Sequence, residues 1–298
     1  MKNINYLIMG IVGLMLASCA NEEPTDTMTG DLVNLNISLA TTEIQSRGFA
    51  DGKDADFLQY AVYEKDGNQY KKIIDKSEGQ DFTENTNITL QLGKKRQYSV
   101  VFWVGVKTGS PYILSFEDNG AEMTVNENAI KCNDSALDAF YICQDLGEIT
   151  GNADLRVNLT RPFAQINVGT DDYEIIEGQN ASLVPTSSSI KIMGAPTKMN
   201  LLTGEMSEEK DLEFSMNSIK RDTEVFPKDK EIYNYLAMAY FLVEEKSSND
   251  IEITFESEAM TKQRKVASVP MQRNRRTNIY GSILTSDQNI TIEDKTGF

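Results

Sequence analysis

Apolar and polar residues alternate along most of the chain, and the alternation has a period of two. In residues 32–39, Val33, Leu35, Ile37 and Leu39 would share one face of an extended segment, with polar residues on the other. This pattern is typical of a half-buried β-strand, whose successive side chains point to opposite faces. Comparable runs occur at residues 58–63, 88–92, 98–106, 155–159, 163–168, 189–193, 212–216, 235–243, 251–255, 266–271, 278–284 and 290–292. Turn-forming residues separate the runs, so the pattern predicts about fourteen strands and few helices.

This strand count indicates an all-β fold built from sandwiches. Two tandem sandwiches of about seven strands each fit the count and a chain of 298 residues. The segment Thr160-Arg161-Pro162 interrupts two strand patterns, and proline cannot sit in a central ladder. The sequence therefore predicts a boundary there, with an N-terminal sandwich over residues 31–160 and a C-terminal sandwich over residues 161–298.

Two of the runs, residues 100–106 and 235–243, are apolar almost without interruption. We interpret them as central strands covered on both faces, at a place where two domains touch. Leu, Ala and Met in 235–243 would also suit a short helix, but the length and the flanking residues favour a strand. Trp103 lies in the first of these runs and is predicted to belong to the core.

Composition narrows the functions open to the chain. Lys and Arg total 29 against 45 Asp and Glu, and the resulting net charge of −16 repels phosphate backbones, so nucleic acid is not a predicted partner. The chain has no histidine, which removes histidine-based triads and the commonest zinc ligands. The acidic stretch 51–56 lacks the ligand spacing of a calcium loop. We therefore predict no catalytic residue, no metal and no cofactor, and an enzyme is the least favoured class.

The first residues indicate export. Lys2 precedes the apolar stretch 6–16, which is too short to span a bilayer and is typical of a signal peptide. The stretch ends in Leu16-Ala17-Ser18-Cys19, which resembles the bacterial lipobox. That resemblance implies a lipoprotein signal peptide over residues 1–18. It also implies a mature chain that starts at an acylated Cys19, with the acyl chains (palmitate, for example) anchoring it stably. An ordinary signal peptide with a chance cysteine is the alternative.

Residues 19–30 are polar, and we interpret them as a tether. Within them, Asn21-Glu22-Glu23 resembles the acidic signal that sends Bacteroidota-type lipoproteins to the cell surface. The predicted location is therefore the outer face of the cell outer membrane.

Two cysteines remain in the mature chain besides the one predicted to carry lipid. Cys132 and Cys143 would pass through an oxidising export pathway, where a disulfide between them would persist. Sequence does not show whether their Cβ atoms meet. A bridge and two small buried hydrophobic residues therefore both stay open.

Three segments carry a resemblance to a known family. They are 159–166 (Leu-Thr-Arg-Pro-Phe-Ala-Gln-Ile), 235–240 (Tyr-Leu-Ala-Met-Ala-Tyr) and 269–281, which holds Val-Pro-Met-Gln-Arg-Asn-Arg-Arg-Thr-Asn-Ile-Tyr-Gly. Together with the lipobox and the alternating first strand, they resemble the fimbrillins. These are the subunits of type V pili of Bacteroidales and related surface lipoproteins. The resemblance implies two transthyretin-like β-sandwiches, delivery to the surface and a role in a fimbrium or pilus.

The resemblance also implies assembly by strand exchange. In many members, cleavage after an Arg removes the first strand, and a strand from a neighbouring subunit fills the groove. Here the candidate cleavage lies between Arg47 and Gly48, and a solvated turn is the alternative interpretation of that loop. The candidate donor strand contains Ile290 and Ile292 and is short. A weak donor suits an accessory, anchor or tip subunit, or a lipoprotein that does not polymerise.

A different class of function stays open beside this one. A stand-alone surface lipoprotein that binds a glycan or a host protein would expose aromatic side chains together on loops. Tyr70, Tyr112 and Tyr141 are the candidates for such a platform.

Overall fold

The computed structural model describes residues 31–41, 52, 54–219, 234–286 and 289–295. Cys19, Arg47 and Gly48 lie outside these residues. The described part forms seventeen strands, one short helix, α1 (Tyr173–Gln179), and two single 3₁₀ turns. The strands are β1 (Leu32–Thr41), β2 (Phe57–Asp66), β3 (Gln69–Asp81), β4 (Asn87–Gly93), β5 (Gln97–Gly105), β6 (Tyr112–Glu117), β7 (Gly120–Val125), β8 (Phe140–Glu148), β9 (Ala153–Leu159), β10 (Phe163–Thr170), β11 (Ser187–Asn200), β12 (Met206–Ser218), β13 (Asn234–Leu242), β14 (Lys246–Glu256), β15 (Thr261–Gln272), β16 (Arg275–Gly281) and β17 (Ile290–Lys295).

The first half of the chain forms a sandwich of two sheets. One sheet has the order β4-β1-β9 and the other the order β3-β2-β5-β8. Their facing side chains build one core, in which Leu35 and Ile37 of the first sheet share a cluster with Val62, Val100 and Phe102 of the second. The alternation seen in the sequence thus places the apolar face of each strand in this core.

The second half also contains two sheets around a core. One has the order β13-β10-β16-β17, and the other runs β15-β14-β11-β7-β6 with β12 also paired to β11. The hairpin of β6 and β7 precedes residue 160, but β7 pairs with β11, from Lys198↔Thr124 to Asn200↔Glu122. The all-β class is confirmed. The division of the chain at residue 160 stays a prediction, and this hairpin crosses it.

β5 joins the two cores. It lies between β2 and β8, and its residues from Tyr98 to Gly105 are all buried. Phe102 points into the first core, whereas Trp103 points into the second, where its ring meets the ring of Phe163 edge-on at 6.1 Å. The predictions of a central strand here and of a buried Trp103 are confirmed.

The prediction that residues 235–243 form a central strand is correct for the strand but not for its place in the sheet. β13 spans Asn234–Leu242, so a strand forms here as the sequence favoured, and residues 235–243 are buried. β13 lies at the edge of its sheet, however. The edge is covered by Asn133, whose Oδ1 accepts a hydrogen bond from the Met238 backbone N–H at 2.8 Å. The Asn133 backbone N–H donates to the Met238 carbonyl at 2.9 Å. Burial on both faces therefore came from neighbouring segments and not from a central position in the sheet.

Four strands are not among those that the sequence pattern predicts: β3, β6, β7 and β8. β6 and β7 do alternate in burial, but each has only six residues. β3 is an edge strand in which no residue is fully buried, so its sequence keeps no apolar face. The run at 278–284 also ends earlier than predicted, since β16 stops at Gly281 and the chain turns there. A strand with neither face buried is under no constraint to alternate apolar and polar residues.

Candidate functional site

β1 occupies the middle of the three-stranded sheet. It pairs antiparallel with β4, from Leu32↔Gly93 to Ser38↔Asn87. On its other edge it pairs in parallel with β9, from Leu35↔Ala153 to Thr41↔Leu159. β4 and β9 are therefore connected within the sheet through β1 alone.

The inner face of β1 is apolar and enclosed. Val33, Leu35, Ile37 and Leu39 are exposed by only 3%, 1%, 0% and 2%. Burying such side chains stabilises a fold by about 1.5–3 kcal/mol each, or roughly 6–12 kcal/mol for the four. Backbone hydrogen bonds on both edges add about 1 kcal/mol each. β1 is therefore a strongly held element whose loss would open a groove in the first core.

The outer face of β1 is polar and is tied to both neighbours. Asn36 Nδ2 donates to Asp154 Oδ1 on β9 at 2.8 Å, and Asn36 Oδ1 accepts from Thr89 Oγ1 on β4 at 3.0 Å. Ser38 Oγ donates to Asn87 Oδ1 at 2.6 Å. These polar contacts form a ladder across the three strands on the solvent side, which the alternation in the sequence did not reveal.

The connection from β1 to β2 changes sheets. β1 ends at Thr41 in the three-stranded sheet, and β2 begins at Phe57 in the four-stranded sheet. Arg47 and Gly48 belong to this connection in sequence and lie outside the described residues. A cut in this connection would leave β1 held to the rest of the described fold by non-covalent contacts alone.

The candidate donor strand lies within its own fold. β17 pairs antiparallel with β16, with Ile290 opposite Gly281 and Ile292 opposite Ile279. Ile290 packs partly against the second core, whereas Ile292 is 36% exposed. The strand predicted for donation therefore completes the edge of its own four-stranded sheet.

Of the two alternatives that the sequence left open for Cys132 and Cys143, the structure has the unbonded one, with both as free thiols. Cys132 is buried, and its Sγ lies 3.6 Å from Ser188 Oγ. Cys143 is half-buried on β8. Burial raises the pKa of the Cys132 thiol to about 11 and that of the Cys143 thiol to about 11. Both side chains thus serve as small packing residues.

The three candidate platform tyrosines are not exposed. The hydroxyl of Tyr112 donates to the Leu137 carbonyl at 2.7 Å, and that of Tyr141 donates to the Leu201 carbonyl at 2.6 Å. Tyr70 packs against the second core. Among the residues that the structure describes, no aromatic side chain belongs to the exposed class, so these residues offer no aromatic platform for a sugar.

The structure contains a buried ion pair that the sequence did not predict. Arg161 and Asp138 are each 1% exposed, and their side chains meet at 2.5 Å (Nε to Oδ1) and 2.7 Å (Nη2 to Oδ2). The Arg161 guanidinium also lies 4.4 Å from the centre of the Phe140 ring. The family-like segment at 159–166 drew attention to Arg161, but nothing local pointed to its partner.

Neither a metal site nor a spanning helix is found in the described ranges. No three acidic or thiol side chains there converge on one point. The one α-helix of the described chain has seven residues, and no described helix has the length and apolarity that crossing a bilayer requires.

The fold is shared with proteins of known structure from Bacteroides and Porphyromonas species. A candidate polysaccharide-binding protein from Bacteroides thetaiotaomicron aligns with a TM-score of 0.53 at 11% identity, over 89% of this chain and 98% of that chain. A candidate adhesin from Bacteroides ovatus aligns with a TM-score of 0.53 at 10% identity, over 89% and 96%. The fimbrial anchor protein Mfa2 from Porphyromonas gingivalis aligns with a TM-score of 0.46 at 10% identity, over 90% and 100%.

The predicted resemblance to fimbrillin-like surface proteins is thus confirmed for the fold. The chain belongs to the DUF6562 family, a family of unknown function, whose profile matches residues 24–298. No curated protein matches the chain.

Proposed function

We propose that the protein is a non-enzymatic, fimbrillin-like lipoprotein of the cell surface. In this proposal it is anchored in the outer membrane through Cys19 and serves in adhesion as a structural or accessory subunit of a type V-like pilus. Cleavage between Arg47 and Gly48 would allow a strand of a neighbouring subunit to replace β1. The supporting observation is that β1 is hydrogen-bonded on both edges while its connection to β2 leaves the sheet.

Covalent attachment decides whether exchange takes place. While β1 is attached, it competes for the groove at an effective concentration in the millimolar range or above, so a free strand loses. A cut after Arg47 removes this advantage and leaves two open edges, on β4 and on β9. Adding a strand to such edges is a recognised way of binding an extended peptide.

The same cut has a consequence for anchoring. Cys19 and β1 lie on the amino-terminal side of Arg47. Cleavage followed by exchange would therefore separate the body of the protein from its lipid. In this proposal an uncut molecule stays at the membrane, whereas a cut molecule is held by its partner's strand.

The names of the proteins that share the fold support adhesion at this coarse level, since one is described as a candidate adhesin. A protein described as a candidate polysaccharide-binding protein shares the fold as well. The described residues carry no exposed aromatic side chain. We therefore favour exchange between subunits over sugar binding.

The test uses the chain from residue 20 onward and an arginine-specific protease. A fluorescent peptide with the sequence of residues 31–41 is added before and after digestion, and its uptake is followed by anisotropy. We expect uptake after digestion only, and none with the Arg47→Ala variant, which keeps the connection intact. Equal uptake by cut and uncut protein, or unchanged thermal stability after loss of β1, would overturn the proposal.

A further inference from the structure

Asn36 lies at the centre of the polar face of β1 and is directly opposite one residue on each neighbouring strand. The strand register pairs Asn36 with Thr89 on β4 and with Asp154 on β9. Its amide nitrogen donates to the Asp154 carboxylate, and its amide oxygen accepts from the Thr89 hydroxyl, at 2.8 and 3.0 Å. The two walls of the groove thus present opposite polarities to the strand between them.

This arrangement is selective because one wall accepts a hydrogen bond from the strand and the other donates one to it. The Asp154 carboxylate accepts hydrogen bonds only, so it requires a donor from the strand. The Thr89 hydroxyl donates its proton to the Asn36 amide oxygen, so the acceptor half of the amide is matched on this wall. A primary amide offers both groups in one plane, whereas a carboxylate at this place would face Asp154 with like charge.

We propose that Asp154 and Thr89 select the strand that fills the groove by requiring an amide side chain at the place of Asn36. The inference rests on the proposed exchange of β1 and names its partner. The partner strand alternates apolar residues with polar ones and carries asparagine opposite Thr89 and Asp154. It runs parallel to β9 and antiparallel to β4, as β1 does.

The strand that fits is not β17 of a second copy of this chain. If Ile290 takes the place of Leu35, Asp294 falls at the buried place of Leu39 and Thr291 replaces the amide. Moving this segment two residues along the groove instead puts Asn289 at the place of Asn36, but it also puts the polar Gln288 at the buried place of Leu35. Either register fills only part of the apolar face.

The test measures binding of synthetic peptides to digested protein from which β1 has been removed. Three peptides cover residues 31–41: the native sequence, an Asn36→Asp peptide and an Asn34→Asp peptide of the same net charge. The side chain of Asn34 has no hydrogen bond among the described residues, so the third peptide is a matched control. We expect the Asn36→Asp peptide to bind about tenfold more weakly than the native one, and the Asn34→Asp peptide within about threefold of it.

A variant of the protein itself tests whether Asp154 is the residue that selects the amide. Asp154 is exposed, so Asp154→Asn is expected to leave the melting temperature of the intact chain unchanged. In digested protein, this variant should bind the Asn36→Asp peptide with an affinity within about threefold of that between unmodified protein and native peptide. The reason is that an amide then faces a carboxylate again. A peptide of residues 286–295 should bind more weakly than all the others.

The outcomes separate this inference from the proposed function. Failure of the native peptide to bind would overturn strand exchange itself. Equal binding of the native and Asn36→Asp peptides, or no rescue by Asp154→Asn, would overturn amide selection and leave exchange standing. Native-like binding by the peptide of residues 286–295 would show that β17 of a second copy fits the groove, which overturns its exclusion.

Discussion

Cys132 lies beside Asn133 and Ser188 in the second core, and its burial raises the pKa of the thiol to about 11. The thiolate is the reactive form, and only about one thiol in a thousand is ionised at pH 8, so the reaction is slow. We expect iodoacetamide to leave Cys132 and Cys143 of the native protein unmodified near neutral pH. Because raised pKa values favour the protonated form, labelling of the half-buried Cys143 should increase as the pH rises towards 11.

Peptide mass spectrometry after brief labelling would measure this, with urea-unfolded protein as the fully labelled control. A peptide that contains Cys132 joined to Cys143 in non-reduced native protein would contradict the free thiols of the structure.

Single residues could be predicted from the sequence only where their surroundings are local. Trp103 sits in an apolar run, so its burial followed from its neighbours in sequence. Asp138 and Asn133 meet partners far away in the chain, at Arg161 and Met238. The bond between the two cysteines was left open for the same reason, since spacing along a chain does not fix the direction of two Cβ atoms.

At the scale of the element, Ile37 gives the sharpest test of β1. Its side chain is 0% exposed, whereas Leu32 in the same strand is 47% exposed. We expect Ile37→Asp to lower the free energy of unfolding by about 4 kcal/mol or more, because it replaces a packed side chain with an unpaired buried charge. Leu32→Asp adds the same charge at the surface and should change it by less than about 0.5 kcal/mol.

Urea unfolding followed by circular dichroism would give both values. Equal stability of the two variants would contradict the placement of β1 in the core.

Most elements with one buried face were predicted, including the edge strands β4 and β9, whereas β3, in which no residue is fully buried, was not. β1, β4 and β9 each keep the alternation that burial of one face imposes. β3 lost it because one edge and much of its surface meet solvent. The polar ladder around Asn36 was not predictable either, since it depends on the register between strands that are far apart in sequence.

At the scale of the whole molecule, the pair of Arg161 and Asp138 lies where β9 of the first core passes into β10 of the second. Removing one partner leaves the other charge buried without compensation, which typically costs about 3–5 kcal/mol. We expect Arg161→Ala to destabilise the chain by that amount in urea unfolding. The double variant Arg161→Met with Asp138→Leu should be clearly less destabilised, and a double variant as unstable as the single one would contradict this account.

The sequence predicted where the chain changes sheet, but not which strands belong to which core. Proline at residue 162 marked a real change of sheet, because β9 ends at Leu159 and β10 begins at Phe163 in another sheet. The hairpin of β6 and β7 nevertheless joins the second core from within the first half of the chain. Hydrophobic periodicity does not predict this placement, because a strand has the same alternation whichever core it packs into.

The parallel ladder between β1 and β9 constrains the order in which the molecule can fold. The backbone of Asn34 bonds to the side chain of Asn152, 118 positions later. Pairing over such a separation closes a large loop and is slow to form. The three-stranded sheet cannot be completed until Leu159 is available for pairing, so β1 gains its second neighbour only after more than half of the polypeptide can take part in folding.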